Sequence, residues 1–541
     1  MRPIAQTLGP PTSPEETSLP LHSFMWNLSD SQGRPQRCKV LEASKKKHMV
    51  SRTLKHFWFH LKQHKRGSRR WIVSIAILQV VTVLVFFHSS SNNIWKSTFP
   101  VEIQSVQNGL DSANSPLVIS FDENRVITLV DDEFSHFQPV GNAPLCYLEG
   151  TSVSETLSSN SSKCLCRANY FGHECGVPAA VWHRTISRKY HKWPLKPRKV
   201  PRRIIHGLNI NHEIEFFRVR LEELKDAVDV YIVCESNYTA HGDAKPLYLM
   251  DKFRSGFMGS YHSKIVHVPL YKFPPEGREN GWFIDMYLRT YMGIHGLNRI
   301  HGVRSDDLFV LLDADEIPTR EVLMFLKLYD GYPEPIRLAM RWSVFGFFWK
   351  RKRDKQNGSI IDWIMDVVKE DGDKDDEDLL EVTAVSTMNL VWKVCQNNTF
   401  LIRKDMTNYA DFQERLSQYR IEGNRVSPWT SGTKKAYAGY HCSWCYSPEG
   451  IRTKLLSAHA DDKPRWGDFA EKLDLDYISR LIREGEWFDA SHPFVMADWE
   501  KEDQYAPKFM LQHPQQFSQL LYPPDMTNEL YSSNSHNRDS Q

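Results

Sequence analysis

An excess of charge of either sign is missing from this chain: 68 Lys and Arg against 66 Asp and Glu leave a net charge of +2 over 541 residues. No global field therefore draws in a polyanion, and no nucleic-acid partner is expected. A Gly-X-Gly-X-X-Gly fingerprint is also missing after the first strand of the main domain, which argues against a dinucleotide oxidoreductase. Cysteine is sparse, with nine in all. Long apolar runs are sparse too, and the one that stands out is Trp71–Phe87, 17 residues without a charge. As a helix it would span roughly 26 Å, close to the hydrocarbon thickness of early secretory membranes.

A basic segment ending at Arg69-Arg70 precedes that run, and the polar residues His88–Asn93 follow it. The basic segment is far longer than the n-region of a cleaved signal peptide, and no small-residue cleavage site is evident. The run reads as a signal anchor, a single transmembrane helix over 71–87, with residues 1–70 a disordered cytosolic tail and the rest lumenal. Cysteine usage agrees: Cys38 alone lies before the anchor, and the other eight form an even set suited to an oxidising space. Asn160, Asn237, Asn357 and Asn397 each open an Asn-X-Ser/Thr sequon on that side.

Beyond the anchor, residues 88–145 are polar and mixed, as in a stem. Cys146, Cys164, Cys166 and Cys175 crowd into 146–178, which resembles the C-terminal half of an EGF-like module and acts as a staple whose pairing is left open. A main domain is expected over 201–515 and a tail over 516–541. Arg203–Leu208 reads as a strand, Ile214, Phe217, Leu221, Leu224 and Val228 mark one helix face, and Val228–Cys234 is a second strand. Strand, helix and strand of these lengths make a βαβ unit, and so an α/β, Rossmann-like sheet. The acidic run at 366–378 does not fit an EF-hand and reads as a surface insertion.

The centre of the chain is Asp307–Pro318. Leu308–Leu312 is continuously apolar, as expected for a strand buried on both faces, and Asp313, Asp315 and Glu316 stand where it ends. Ligands of open α/β sheets bind at such ends. Carboxylates one residue apart on a tight bend can share a hard divalent cation, which in turn neutralises phosphate oxygens. Pro318 is placed at the first turn of the following helix. A second dense patch, Gly439–Gly450, holds His441, the pair Cys442 and Cys445, and Glu449. Without a second pair nearby, zinc and thioredoxin readings are weak, leaving a disulfide, local or to Cys395 or Cys234. Pro464–Asp468 then sets a cation, an indole and a carboxylate close together.

Pro201–Ile205, Val233–Thr239, Leu312–Pro318, Gly346–Trp349, His441–Cys445, Pro464–Asp468 and Tyr505–Lys508 together resemble glycosyltransferase family 17. The resemblance implies a GT-A type fold, UDP-GlcNAc as donor, Mn²⁺ as cofactor, and Golgi residence as a single-pass type II membrane protein. It implies inverting transfer of GlcNAc to the core β-mannose of N-glycans in β-1,4 linkage. On that footing Asp315 is assigned to the metal, Asp313 to metal or ribose, His441 to the metal as a further ligand, and Glu235 to the nucleoside. Asp468, then Glu449, then Glu316 are the candidate bases. A glycan-binding relative without chemistry and a metal-dependent phosphohydrolase are the rival readings.

Overall fold

The computed structural model describes residues 121–525 apart from 132–134, 188–193, 352–378, 404–409, 460, 463, 499–500 and 503. The expected cytosolic tail, the anchor at 71–87, most of the stem, the acidic run at 366–378 and the tail from 526 onward lie outside the described residues. Among the described residues no helix is long and apolar enough to cross a membrane.

Side chains of a strand alternate between faces, and in the central strands both sets are apolar. In β1 (Ile204–Ile210), β2 (Val230–Ser236), β3 (Ile265–Leu270) and β4 (Leu308–Leu311), Ile204, Leu208, Tyr231, Val233, Leu308 and Val310 enter one core. Ile205, Val230, Ile232, Val266, Phe309 and Leu311 enter another on the opposite face. These four strands are parallel, in the order β3-β2-β1-β4. Helix α1 (Ile214–Glu223) completes the expected βαβ unit, and α2 (Gly281–Leu297) packs across β1, β2 and β3.

The sheet continues with β5 (Glu316–Pro318), β6 (Glu334–Val344), β7 (Gly346–Arg351), β8 (Leu379–Thr387), β9 (Val426–Ser431), β10 (Gly439–Ser443) and β11 (Phe494–Met496). Its main path is β5-β10-β6-β8-β4-β1-β2-β3, with β7 and β9 also on β6 and β11 on β7. Because β8 runs antiparallel to both β4 and β6, the sheet is mixed. Pro318 ends β5, and α3 (Arg320–Leu328) starts after Thr319. The expected first-turn proline is therefore an edge-strand proline, tolerated there because an edge strand leaves one row of N–H groups unpaired.

Two further expectations change. The cysteine-rich segment carries Cys146–Cys164 and Cys166–Cys175 bridges, yet it is no separate bead. Phe137, Tyr147, Val177 and Val181 share a core with Phe325 and Tyr329, and Arg320 on α3 donates to Glu149 at 2.5 Å. Part of the expected stem is built in as well, since Phe121 stacks on Phe253 at 4.5 Å and Ile127–Thr128 pair with Ile300–His301. The cysteines also do not pair completely: Cys442 bridges Cys445, and Cys234 and Cys395 remain buried free thiols. Both free thiols lie in the apolar core of one sheet face and serve there as small apolar side chains.

Candidate active site

After β4 the chain bends through Asp313, Ala314 and Asp315 into β5, which pairs antiparallel with β10 so that Glu316 lies opposite His441. The bend is pinned from α1. Arg220, fully buried, donates from Nη2 to the carbonyls of Asp313 at 2.6 Å, Ala314 at 2.9 Å and Glu316 at 2.9 Å. Its Nη1 lies 2.9 Å from His206 Nε2 on β1. From β10, the Cys442 amide donates to the Asp315 carbonyl at 3.1 Å. A buried guanidinium spread over three carbonyls satisfies a turn that no regular ladder could.

The three acids of this bend meet different surroundings. Asp313 accepts from Arg289 Nη2 at 2.5 Å and from Arg403 Nη2 at 3.0 Å. Burial pushes its carboxyl up, but the two guanidinium groups outweigh burial and hold it well below the usual carboxylate range. Glu316 takes a fork from Arg403 at 2.8 and 3.0 Å and the Asp313 amide at 2.8 Å. Asp315 is 1% exposed, and neither of its carboxylate oxygens has a hydrogen-bond partner. Burial, helped by the charges of Glu316 and Asp313, pushes it up to about 6 despite His441 and Lys454.

His441 Nδ1 lies 3.9 Å from Asp315 and 3.7 Å from Glu316, too far for hydrogen bonds, and it has no partner. Its Nε2 sits 2.7 Å from Ser443 Oγ, which also accepts from the Trp342 indole at 2.9 Å. With the ring proton on Nε2, the Nδ1 lone pair faces the acids, the arrangement a metal-bound imidazole takes. An orphaned carboxylate beside an orphaned imidazole nitrogen is a donor set that fits Mn²⁺. Among the described residues no group of three or more His, Cys, Asp and Glu side chains forms a ready cage. A cation here would complete its shell with water and ligand oxygens.

Sequence reasoning missed the groups next to this pair. Lys454, on α4 (Pro448–Ser457), is buried with its ammonium 4.3 Å from the centre of the Trp444 ring. Burial lowers it to about 7, and Asp315 is its strongest opposing charge. His212 stacks on Tyr446 at 5.0 Å, and burial lowers it to about 3; Glu213 is raised to about 7, again by burial. The available signal was Asn209–Glu213, a polar stretch leaving the carboxyl end of β1, where ligands of such sheets bind. Nothing in the sequence marks Lys454 as buried.

The structure therefore gathers Asp313, Asp315, Glu316 and His441, but not the other three residues assigned. Glu235 is fully buried, accepting from the Leu249 and Met250 amides at 2.7 and 3.1 Å and lying 3.0 Å from His267 Nε2. Both its oxygens are occupied in holding the helix Tyr248–Arg254, which gives it a structural place rather than a nucleoside-facing one. Asp468 is exposed and pairs with Arg465. Glu449 is exposed on the first turn of α4. A cavity of about 340 Å³ lined by Leu297, Ile300, Met388 and Trp392 contains none of these groups.

A half-sheet of parallel strands ending in an acidic bend, with an imidazole delivered by an antiparallel neighbour, defines an α/β domain with a carboxylate–imidazole site at its strand ends. Residues 180–383 match the family model described as Glycosyltransferase family 17. The chain is 39% identical to a Mus musculus protein over 382 residues, 69% of this chain and 65% of the relative. It is 39% identical to a Rattus norvegicus protein over 366 residues (67% and 62%) and 38% identical to a Homo sapiens protein over 363 residues (66% and 62%). All three are named beta-1,4-mannosyl-glycoprotein 4-beta-N-acetylglucosaminyltransferase. The chain thus spans a little under two thirds of the length of these relatives.

Proposed function

We propose that this protein transfers GlcNAc from UDP-GlcNAc to the core β-mannose of N-glycans in β-1,4 linkage, on a GT-A type fold. The observation that carries the reading is Asp315, a buried carboxylate with no partner, at the end of the central strand of a domain that matches family 17. Asp315 and His441 would hold Mn²⁺, which supplies positive charge for the diphosphate of the donor. The donor sugar is α-linked and the product β-linked, so a single displacement serves. The acceptor hydroxyl oxygen bonds to the anomeric carbon, the bond from that carbon to the UDP oxygen breaks with its electron pair, and the hydroxyl proton passes to a base.

The chain's own residues prepare that step. Arg220 fixes the bend that presents Asp315, Ser443 orients His441, and the Lys454 ammonium adds a cation beside the acids. Glu316 already has both oxygens in the Arg403 fork, which leaves Asp468 and Glu449, both open to solvent and outside the cluster at the bend, as the candidate bases. The segment 71–87 would anchor the chain in the Golgi membrane with this domain lumenal.

The test is UDP release by the full-length chain in detergent, with Mn²⁺, UDP-GlcNAc and a biantennary N-glycan, followed by linkage analysis of the product. Acceptor-dependent release and a β-1,4-linked GlcNAc on the core mannose are expected. Release that does not depend on the glycan would instead point to a hydrolase, and no release to a glycan-binding relative without chemistry.

A further inference from the structure

The run Pro464–Asp468 lies outside the acidic bend, yet it is fastened to α4, the helix that carries Lys454. Arg465 donates to the Leu456 carbonyl at 2.7 Å and to the Ala458 carbonyl at 2.9 Å, so a cation closes the C-terminal end of that helix. A Cβ at Gly467 would stand 2.2 Å from the Leu455 carbonyl oxygen, so glycine alone lets the turn Trp466–Asp468 come this close. Trp466, between these two anchors, is half-buried.

From Trp466 a row of rings leads back to the site. Trp466 lies 6.1 Å from Phe488 and 6.1 Å from Phe469, which is 42% exposed. Phe488, buried just beyond α5 (Leu475–Glu484), lies 5.1 Å from half-buried Trp487 and 4.9 Å from Trp444. Trp444 directly follows Ser443, whose hydroxyl meets His441 at 2.7 Å. It is held there at a cost. The residue is buried, left-handed at φ +56°, enclosed by the Cys442–Cys445 bridge, and its indole N–H has no acceptor among the described residues. Backbone strain and orphaned donors of this kind collect at functional sites.

We propose that Trp466, Phe469 and Trp487, backed by Phe488 and Trp444, form the platform on which the pyranose rings of the acceptor glycan stack. A pyranose shows an apolar C–H face bordered by hydroxyls, which an aromatic face with a polar rim matches. Such a rim is present: the Lys472 ammonium stands 5.8 Å from the centre of the Trp466 ring, and the Asp468 carboxylate is exposed beside it. Three part-exposed rings offer far less than the roughly 800 Å² per partner of a stable protein interface, but enough for one or two sugar rings. The proposal rests on the transferase reading above and adds to it the surface that recognises the acceptor.

The experiment uses the full-length chain in detergent, wild type against Trp466→Ala, Trp487→Ala, Phe469→Ala and Trp466→Phe. Binding of a biantennary N-glycan is followed by saturation-transfer NMR with and without UDP, and steady-state kinetics are measured in both substrates. Trp466→Ala and Trp487→Ala are expected to raise KM for the glycan roughly tenfold or more, with kcat and KM for UDP-GlcNAc within about twofold. Trp466→Phe, which keeps a ring, should recover most of that loss. Phe469→Ala, at the exposed edge, should fold as the wild type does and raise glycan KM about threefold, so it carries the comparison if a tryptophan variant does not fold.

Glycan binding and glycan KM left within about twofold by all three alanine variants would overturn the platform while leaving the transferase reading intact. Self-association of the wild type that Trp466→Ala abolishes without moving glycan KM would make the patch a contact between copies, which overturns it equally. A wild type that binds the glycan through these rings yet releases no UDP would sink the transferase reading alone and leave the platform standing.

Discussion

An ionised carboxylate buried without a partner opposes folding, and Asp315 is such a group. It ionises near 3.8 when exposed and near 6 in the fold. Between those values the folded state holds the extra proton, so stability falls as pH rises from about 4 to 6 and stays lower above. Two pKa units correspond to roughly 3 kcal/mol. Asp315→Asn should therefore make the metal-free protein more stable at pH 7, by about 1–3 kcal/mol, while abolishing transfer. Denaturant melts in chelator at pH 7 and pH 4 check this, since the gain should shrink at the lower pH. Glu235 makes the opposite case. Glu235→Ala strips acceptors from two buried amides and should cost about 2–4 kcal/mol, with KM for the donor unchanged in the folded fraction. A raised KM without a stability loss would return Glu235 to the nucleoside. From sequence alone the two residues read alike, an acid after an apolar strand, and only the neighbours delivered from elsewhere separate a cap from a site.

At the scale of elements, apolar runs announced β1, β2 and β4, because strands buried on both faces need continuous apolar sequence. The pairing of β5 with β10 was not announced, for both are short and a three-residue strand carries no period. Yet that pairing sets His441 opposite Glu316. The place of Pro318 was misjudged for the same reason, since a proline suits a first helical turn and a sheet edge equally well. Helix α2 shows how element packing reaches the chemistry. A Cβ added at Gly293 would stand 2.2 Å from the Asn397 carbonyl oxygen, a backbone atom with little freedom to move. One turn earlier, the Arg289 carbonyl accepts from Thr399 at 2.6 Å while its guanidinium holds Asp313. Gly293→Ala should thus push α2 away from its neighbour, costing about 1–3 kcal/mol and lowering kcat through the Arg289 contact. A melt combined with steady-state kinetics would reveal both effects, and a stable variant with wild-type kcat would deny the link.

For the whole molecule, the boundary placed at Pro201 by sequence is the feature to test, because the fold begins earlier. Residues 121–145 are polar enough to pass for a stem, and their few apolar side chains show no period. Phe121, Phe137 and Tyr147 nonetheless sit in the same core as Phe253 and Tyr329. Arg203, at the mouth of β1, donates to the Leu129 carbonyl at 3.2 Å, so the early segment also braces the central sheet. Truncating one buried aromatic typically costs about 3–5 kcal/mol, and a whole domain is stable by only about 5–15 kcal/mol. Removing three such rings is therefore expected to consume the net stability. A secreted fragment beginning at Lys96 should fold and melt cooperatively, whereas one beginning at Pro201 should be recovered poorly and melt without a cooperative transition. Equal yields and melting temperatures within a few degrees would mean that the cysteine-rich segment and the strand before it decorate the domain rather than complete it.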